Sequence, residues 1–510
     1  MPRYKPVDRS PRFLPVVLAE QIQPGTFEFA LDHLVDNELD LSMLDARFRN
    51  DDVGASAYDP QVMLKIVLLA YSRGLVSSRS IAHACLHHVQ FMAISGDSQP
   101  SYTHIAKFVR GLKDQIQPLF VQVLMTCDRL GLIGRQMFAI DGVKLPCNAS
   151  KERSGTFDEL AHRAARLDKA ADKILALHQA QDAGGESPTA LDAARQARID
   201  ELRREARATR AFVAGRKPRL SERGQELKSN ITDPDSAKMA TGKGVIQGYA
   251  AQAAVDSAHQ VIVAAEVTGS GSEQNMLLPM IEAAAPVRAA HTLITADAGY
   301  HSSENVNALC EAGIPALLAD NQMRQRDERY AEQAKHKAKG EVLHDKRKPA
   351  ASPNPKVKGY FSVADFVFDG ANTCTCPAGC TLRSSGALYN AGRYQRQEFK
   401  ARASDCQACA LRPQCIRKPE TAQRKIAVHL RMPDDPNEPI HRMRAAIDSA
   451  HGRQLYSQRI ATVEPVFGNL RHNKRLSRFT VRGKDKVSTQ WRLFCLVHNI
   501  EKVANRVVWA

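Results

Sequence analysis

Two kinds of residue in this chain have types and spacings suited to chemistry: a few acids at the ends of apolar runs, and six crowded cysteines. Asp141 closes the run Phe138-Ala139-Ile140 and precedes Gly142, and Asp297 closes Leu293-Ile294-Thr295-Ala296 just ahead of Ala298-Gly299. An acid at the carboxyl end of a buried strand, beside a glycine, presents its carboxylate in a crevice, although aspartate is also an ordinary turn residue. Two such acids on one sheet make the stronger signal. Hard cations such as Mg²⁺ take carboxylate oxygens, often only one or two per ion, and leave room for phosphate. Two such ions about 4 Å apart activate the attacking oxygen and stabilise the leaving one in phosphoryl transfer. A third acid is expected toward the C-terminus. Glu464 is the only acid between Asp448 and Asp485, and it stands among Arg459, Arg471, His472, Lys474, Arg475, Arg478, Arg482 and Lys484. It reads either as an ion-pair partner or as a metal ligand beside a phosphate track.

The cysteines follow C-x-C-x3-C at Cys374, Cys376 and Cys380, then C-x2-C-x5-C at Cys406, Cys409 and Cys415, with 25 residues between the two sets. Thiols this dense predict a structural zinc site in a reducing compartment. Four ligands suffice for tetrahedral zinc; Cys376, Cys380, Cys406 and Cys409 are the first choice, with Cys374 and Cys415 as alternatives. Unligated core thiols compete with this reading, and an iron–sulfur centre is a third option. Cys85, Cys127, Cys147, Cys310 and Cys495 lie in apolar surroundings and read as small core residues.

The elements that must position these groups fall into zones. Over residues 58–115, Asp59-Pro60 starts a helix through MLKIVLLAYSRGL, Ser77-Ser78 opens a second over SIAHACLHH, and Pro100-Ser101 opens a third. In that third helix Ile105, Phe108, Val109 and Leu112 make one apolar stripe, leaving His104, Lys107 and Arg110 on the other face. Short helices ending in a basic one suit either a helix-turn-helix reader of DNA or a plain helical packing domain. Residues 158–214 carry Leu160, Leu167 and Ile174 with Ala164 and Ala171 between them, then a break at Gly184-Gly185 and Pro188, then Leu191, Ile199, Leu202 and Ala206. This predicts an inserted helical hairpin, serving as a contact arm or as a spacer. Strand-like runs at Met137–Lys144, Gly248–Val255 and Val261–Val267 precede an alternation of helix, strand, helix and strand through residue 319, which predicts a mixed sheet in an α/β domain. Residues 321–358 are highly charged and read as a mobile or DNA-facing linker, and a final helix is expected over 487–504 with Leu493, Leu496, Val497, Ile500 and Val503 buried. Gly242-Lys243-Gly244 lacks the rest of a phosphate loop, and His87-His88 has no acid partners nearby, so neither is assigned chemistry.

The chain has 510 residues, 43% hydrophobic and 25% charged, with a formal net charge of +16, so a wholly disordered chain is excluded and about three domains are expected. The positive excess fits a polyanionic partner, nucleic acid above all. No apolar run is long enough to span a membrane. The opening MPRYKPVDRSPRFLP has no apolar h-region, so no secretory signal is expected and the compartment is taken as the cytosol.

Asp141 in AIDG, Asp297 in ADAGYHS and Glu464 in YSQRIATVEPVFGNLR resemble the catalytic triad of bacterial insertion-sequence transposases of the DDE class. The arrangement of Tyr456, Arg459 and Glu464 resembles that family's Tyr-Arg-Glu-Lys signature, except that Arg471 stands where the family has lysine; the charge is kept and the hydrogen-bonding fork differs. The segment YDPQVMLKIVLLAYSRG, with SSRSIAHAC and SYTHIAKF after it, resembles the family's N-terminal domain, and the likeness runs over roughly residues 20–505. The resemblance implies an RNase H-like catalytic core over 131–320 and 451–510 and a helical DNA-binding domain over 1–130. The inserted arm at 158–214 and the charged linker with a cysteine-rich, zinc-binding-like insertion over 321–450 complete the expected domains, and similar transposases also carry a cysteine-rich insertion before the final Glu. It further implies binding of double-stranded DNA at the element's terminal inverted repeats, then cleavage and strand transfer in a homo-oligomeric synaptic complex at the bacterial nucleoid. Asp141, Asp297 and Glu464 would hold Mg²⁺ or Mn²⁺. Tyr456, Arg459 and Arg471 would position phosphate, with Lys474 and Arg475 in the basic run behind them. A transposase-derived DNA-binding protein without catalysis, or a nuclease without strand transfer, are the alternatives.

Overall fold

The computed structural model describes residues 15–46, 56–183, 193–221, 224–242, 244–330, 360–391, 394–431 and 437–506. The chain divides into two compact units, one made of residues 1–321 and 443–510, the other of residues 322–442. The expected charged linker lies for the most part outside the described residues, as do the tip of the arm and Leu191.

In the larger unit six strands form one sheet: β1 (Met137–Pro146), β2 (Ala237–Thr241), β3 (Gly244–Asp256), β4 (Ile262–Thr268), β5 (Leu293–Ala296) and β6 (Ala316–Leu318). Their order is β6-β5-β1-β3-β2, with β4 also paired to β3. β3 runs antiparallel to β1, β2 and β4, while β1, β5 and β6 are parallel to one another. The sheet is therefore mixed, as the run of three strands followed by helix–strand alternation implied. Two tight approaches fix its centre. A β-carbon on Gly248 would sit 2.0 Å from the Leu145 carbonyl oxygen, so that position requires glycine, and one on Gly142 would sit 2.5 Å from Gln252 Nε2 and displace that side chain. Gly242 and Gly244, set aside as a phosphate loop, flank the turn that joins β2 to β3.

Helices cover the sheet because their apolar stripes demand it. Leu493, Leu496, Val497, Ile500 and Val503 of the helix Lys484–Arg506 are all at most 1% exposed. The same helix is pinned to the sheet by polar groups: Asn499 accepts from the Ile262 amide and donates to its carbonyl, and Trp491 Nε1 donates to the Gln252 carbonyl at 3.0 Å. His498 is buried beside them, donating from Nε2 to the Gln260 carbonyl and accepting from Asn469 at Nδ1; burial pushes its pKa down to about 3 and keeps it neutral.

The N-terminal helices start where the capping residues say. Asp59 Oδ1 accepts from the Gln61 amide with Pro60 at the first helical position, Ser77 caps the helix Ser78–His87 and Ser101 caps Tyr102–Gly111, with a further short helix, Val89–Ser95, between them. A separate domain ending near residue 130 was expected, but these helices and the sheet share one continuous apolar core, which includes Ile66, Leu69, Phe120, Phe138, Val263 and Phe494. The C-terminal helix packs against both. The inserted arm consists of the helices Phe157–Ala183 and Ala193–Ala214, and its seam buries Leu160, Ala164, Ala171, Ile199, Leu202 and Ala206.

The smaller unit is an antiparallel sheet of β7 (Val367–Phe368), β8 (Thr373–Thr375), β9 (Thr381–Arg383), β10 (Leu388–Ala391), β11 (Tyr394–Lys400) and β12 (Lys425–Arg431), in the order β7-β8-β9-β11-β10 with β12 on β11. Two short helices, Ala403–Gln407 and Arg412–Cys415, lie between β11 and β12.

Candidate active site

The parallel register of β1 and β5 pairs Ile140 with Ala296, so the next residue on each strand is an acid, Asp141 on one and Asp297 on the other. Sheet pairing thus sets two carboxylates on adjacent strands. The expectation that Asp141 ends its strand needs correction. β1 continues to Pro146 because β3 pairs with it the whole way, Asp141 lying opposite Ala253; what ends at Asp141 is the pairing with β5 and the run of fully buried positions.

Each acid is held by the amide of a nearby glycine: Gly142 N donates to Asp141 Oδ1 and Gly299 N to Asp297 Oδ1, both at 2.8 Å. Arg459 Nη1 donates to Asp141 Oδ2 at 2.8 Å across a pair whose side chains are 10% and 25% exposed. Burial raises the Asp141 pKa, Arg459 and the Gly142 amide oppose the rise, and the Asp297 charge adds to it. Glu273 belongs to the same cluster, and nothing in the sequence reading singled it out. Its Oε2 and Asp297 Oδ1 each lie 3.0 Å from the point a β-carbon on Gly299 would occupy, and Lys144 Nζ is 3.8 Å from its Oε1. Burial raises the Glu273 pKa, Lys144 opposes this, and Asp297 and Asp141 push it further up. Tyr300, fully buried, donates its hydroxyl to Gln252 and closes the floor. Three acids in mutual repulsion, with two cations near, are what a divalent ion would relieve.

Among the described residues, no three His, Cys, Asp or Glu side chains are closed into a metal site. The Asp141–Asp297 pair offers oxygens from two acids, which suits Mg²⁺ when substrate phosphate and water supply the remaining ligands. On donor chemistry the residues fit a hard divalent cation.

Glu464, Tyr456 and Arg459 share the helix Ala450–Gly468. Arg459, Val463 and Val466 define its buried face, with Tyr456 half-buried at its edge, the Arg459 guanidinium lying 5.6 Å from the Tyr456 ring centroid. Glu464 is one residue beyond Val463, turned about 100° away, and is exposed. The structure therefore brings Asp141, Asp297, Tyr456 and Arg459 together and leaves Glu464 outside that contact set, without a hydrogen-bond or ion-pair partner among the described residues. Pro465 interrupts this helix: lacking an N–H, it leaves the Ala461 carbonyl free, and Gln260 Nε2 donates to it at 3.3 Å. A π-helical turn, Asn469–Asn473, follows.

The basic run behind it divides. Arg471 and Arg475 are exposed, as a phosphate track needs. Lys474 is not on that track: it is 1% exposed, its ammonium is bonded to Glu501, and burial lowers its pKa. Arg459 also differs from expectation, since its Nη1 serves Asp141. Its Nε is buried without a hydrogen-bond partner among the described residues.

On the helix Tyr102–Gly111, Ile105 and Leu112 at its end are fully buried and Phe108 nearly so, and His104, Lys107 and Arg110 are exposed, as the stripe predicted. His104 Nδ1 is hydrogen-bonded to its own cap, Ser101 Oγ, at 2.8 Å. An open groove beside them is lined by Ser77, Ser78, Arg79, Tyr102, Lys107 and Arg110. In the smaller unit Cys374 is fully buried in the sheet core opposite Leu382, whereas Cys376, Cys380, Cys406, Cys409 and Cys415 line one small chamber.

Two family models match the chain: Transposase DDE domain over residues 375–504, and Transposase domain (DUF772) over residues 16–111. Together they support an insertion-sequence DDE transposase. Of the three acids, Glu464 falls inside the first match, and the second covers His104, Lys107 and Arg110. No curated protein matches the chain. Among the described residues, no helix is long and apolar enough to cross a membrane.

Proposed function

We propose that this protein binds the terminal inverted repeats of its own mobile element, cleaves phosphodiester bonds there and joins the freed 3′-OH to target DNA, with Asp141 and Asp297 as the centre of the catalytic site. The observation that carries the reading is the parallel register that sets these two acids side by side on β1 and β5. The strand order, with β1 between an antiparallel and a parallel neighbour, supports an RNase H-like core.

Mg²⁺ or Mn²⁺, when bound, supplies Lewis-acid activation of the attacking oxygen and charge stabilisation of the leaving one. The chain's own residues do the rest. Asp141 and Asp297 offer oxygens to the cation. Arg459 orients Asp141 through Nη1 and turns its free Nε toward phosphate. Tyr456, stacked under that guanidinium, keeps it in place. Glu464 completes the acid set from the helix Ala450–Gly468 once DNA fills the site. Arg471 and Arg475 follow the backbone, and His104, Lys107 and Arg110 meet double-stranded DNA at the N-terminal helices. Two element ends must be held at once, so the working form is a homo-oligomer, acting at the nucleoid in the bacterial cytoplasm.

The test is Asp297→Asn on a labelled element end with Mg²⁺ or Mn²⁺. Binding should persist, because the basic contacts survive, and cleavage should fall below detection. Wild-type cleavage by the variant would remove Asp297 from the site. Binding with no cleavage by the wild-type protein itself would favour a DNA-binding role without catalysis.

A further inference from the structure

The smaller unit carries a group of side chains that the reading above does not use. Its apolar core, among the described residues, is Phe366, Cys374, Leu382, Phe399, Ala401 and Ile426, with Cys376, Cys406 and Cys415 packed at its margin. A core of this size is short of what an independent unit needs, and small units of this kind are held by disulfides or a metal. All six cysteines here are unpaired.

The chain delivers five of them to one place by local geometry. Cys376 and Cys380 are the two ends of a tight turn, closed by the Cys376 amide on the Cys380 carbonyl at 2.9 Å and by the Gly379 amide on the Cys376 carbonyl at 2.8 Å, with Gly379 at φ 80°. Cys406 is on the helix Ala403–Gln407 and Cys409 just follows it. Two arginines lock these loops through backbone carbonyls: Arg412 Nη1 donates to the Cys406 carbonyl, and Arg424 donates to those of Cys415 and Phe361. The Arg424 amide also donates to Cys406 Sγ, at 3.4 Å. The chamber the five sulfurs line has a volume of about 30 Å³, room for a single ion, and its remaining walls include Pro377, Ala378, Leu411 and Ile416. Cys374 is not among the residues that line the chamber: it is fully buried in the sheet core, opposite Leu382.

We propose that this chamber is a structural zinc site in which Cys376, Cys380, Cys406 and Cys409 are the ligands and Cys415 is a wall residue. Each tight turn supplies two sulfurs, and tetrahedral zinc takes four at about 2.3 Å. The sulfurs stand around the chamber without closing on a common point; rotation about the Cα–Cβ bonds draws four of them onto the ion. Up to four protons leave with binding, which makes the affinity rise with pH. Zinc here is separate from DNA chemistry: its work is to hold the two short helices against the β-sheet.

The experiment uses the full chain, purified without chelator from zinc-supplemented medium. Metal analysis should give about one zinc per chain. Native alkylation followed by peptide mass mapping, before and after a strong chelator, should show Cys376, Cys380, Cys406 and Cys409 gaining reactivity together. Cys415→Ser and Cys374→Ala should keep the zinc, and Cys409→Ser should lose most of it. Cobalt substitution of the wild type gives a second readout that needs no variant, a sulfur-to-cobalt charge-transfer band. Zinc-free protein with all five chamber thiols reactive from the start would overturn the site, and so would disulfides among them. A chelator footprint that includes Cys415 in place of one of the four would overturn the ligand set.

Discussion

The carboxylate cluster of the larger unit and the thiol chamber of the smaller one gather similar numbers of potential ligands by opposite means. Asp141, Glu273 and Asp297 come from three separate segments and meet through sheet register and a loop. Cys376, Cys380, Cys406 and Cys409 come from two turns within one short stretch. The acids repel one another, are half-buried, and already lean on Arg459 and Lys144. Around the thiols, arginine guanidinium groups bond to backbone carbonyls, those of Cys406 and Cys415. The difference teaches what each site is for. A site that must admit phosphate has to stay open and balance charge with groups that can be exchanged. A site that only staples a fold can be assembled locally and sealed.

The sharpest way to break the comparison is at Arg459. Arg459→Met leaves the Asp141 charge buried without its partner, and removing one member of such a pair costs about 3–5 kcal/mol, here toward the lower end because Asp141 is a quarter exposed. Thermal unfolding should show the loss in the larger unit, with saturating Mg²⁺ recovering part of it and zinc chelation changing nothing. A Tm equal to wild type would mean that the ion pair does not organise the acids.

Lys474 and Arg471 separate structure from DNA contact within one basic run. Lys474→Met strips Glu501 of its buried cation and should cost about 1.5–3 kcal/mol, leaving the salt dependence of DNA binding as it was. Arg471→Ala should leave stability within about 0.5 kcal/mol and lower the salt slope of DNA binding by about one. The reverse pattern would put Lys474 on the DNA.

The smallest effect is expected at Glu273. Its folded pKa is raised, so it favours folding below its unfolded pKa and loses that contribution as pH rises through the folded value. Glu273→Gln should therefore gain stability relative to wild type at pH 7 in metal-free buffer, by less than about 1 kcal/mol, and the gain should vanish near pH 4. If Glu273 helps to hold the cation, the same variant binds Mn²⁺ more weakly. A variant less stable than wild type at pH 7 would contradict the repulsion.

Legibility in the sequence followed the same division between local and distant. Cysteine spacing, helix caps and apolar stripes are local, so the Tyr102–Gly111 stripe and the thiol window were readable directly. Asp141 and Asp297 were readable as strand-end acids, but the register that makes them neighbours is a property of the sheet. Glu273 was invisible, because a glutamate in the loop Gly271-Ser272-Glu273 carries no pattern until the fold brings it to Gly299. Lys474 was misread for the converse reason. A lysine in a basic run looks solvated, and only the C-terminal helix, through Glu501, takes it inside. Strand β2 was missed because Ala237–Thr241 has little apolar alternation and pairs along only the first part of β3.

The central claim is that Asp141 and Asp297 share a divalent cation, and iron-mediated self-cleavage tests it most directly. Fe²⁺ substituted for Mg²⁺, with ascorbate and hydrogen peroxide added, reduces the peroxide to hydroxyl radicals at the site, and the broken peptide bonds mark its ligands. The account predicts cuts beside both Asp141 and Asp297, suppressed together by excess Mg²⁺ and lost in Asp141→Asn. Cuts confined to one of the two segments, or elsewhere altogether while both stay intact, would contradict it.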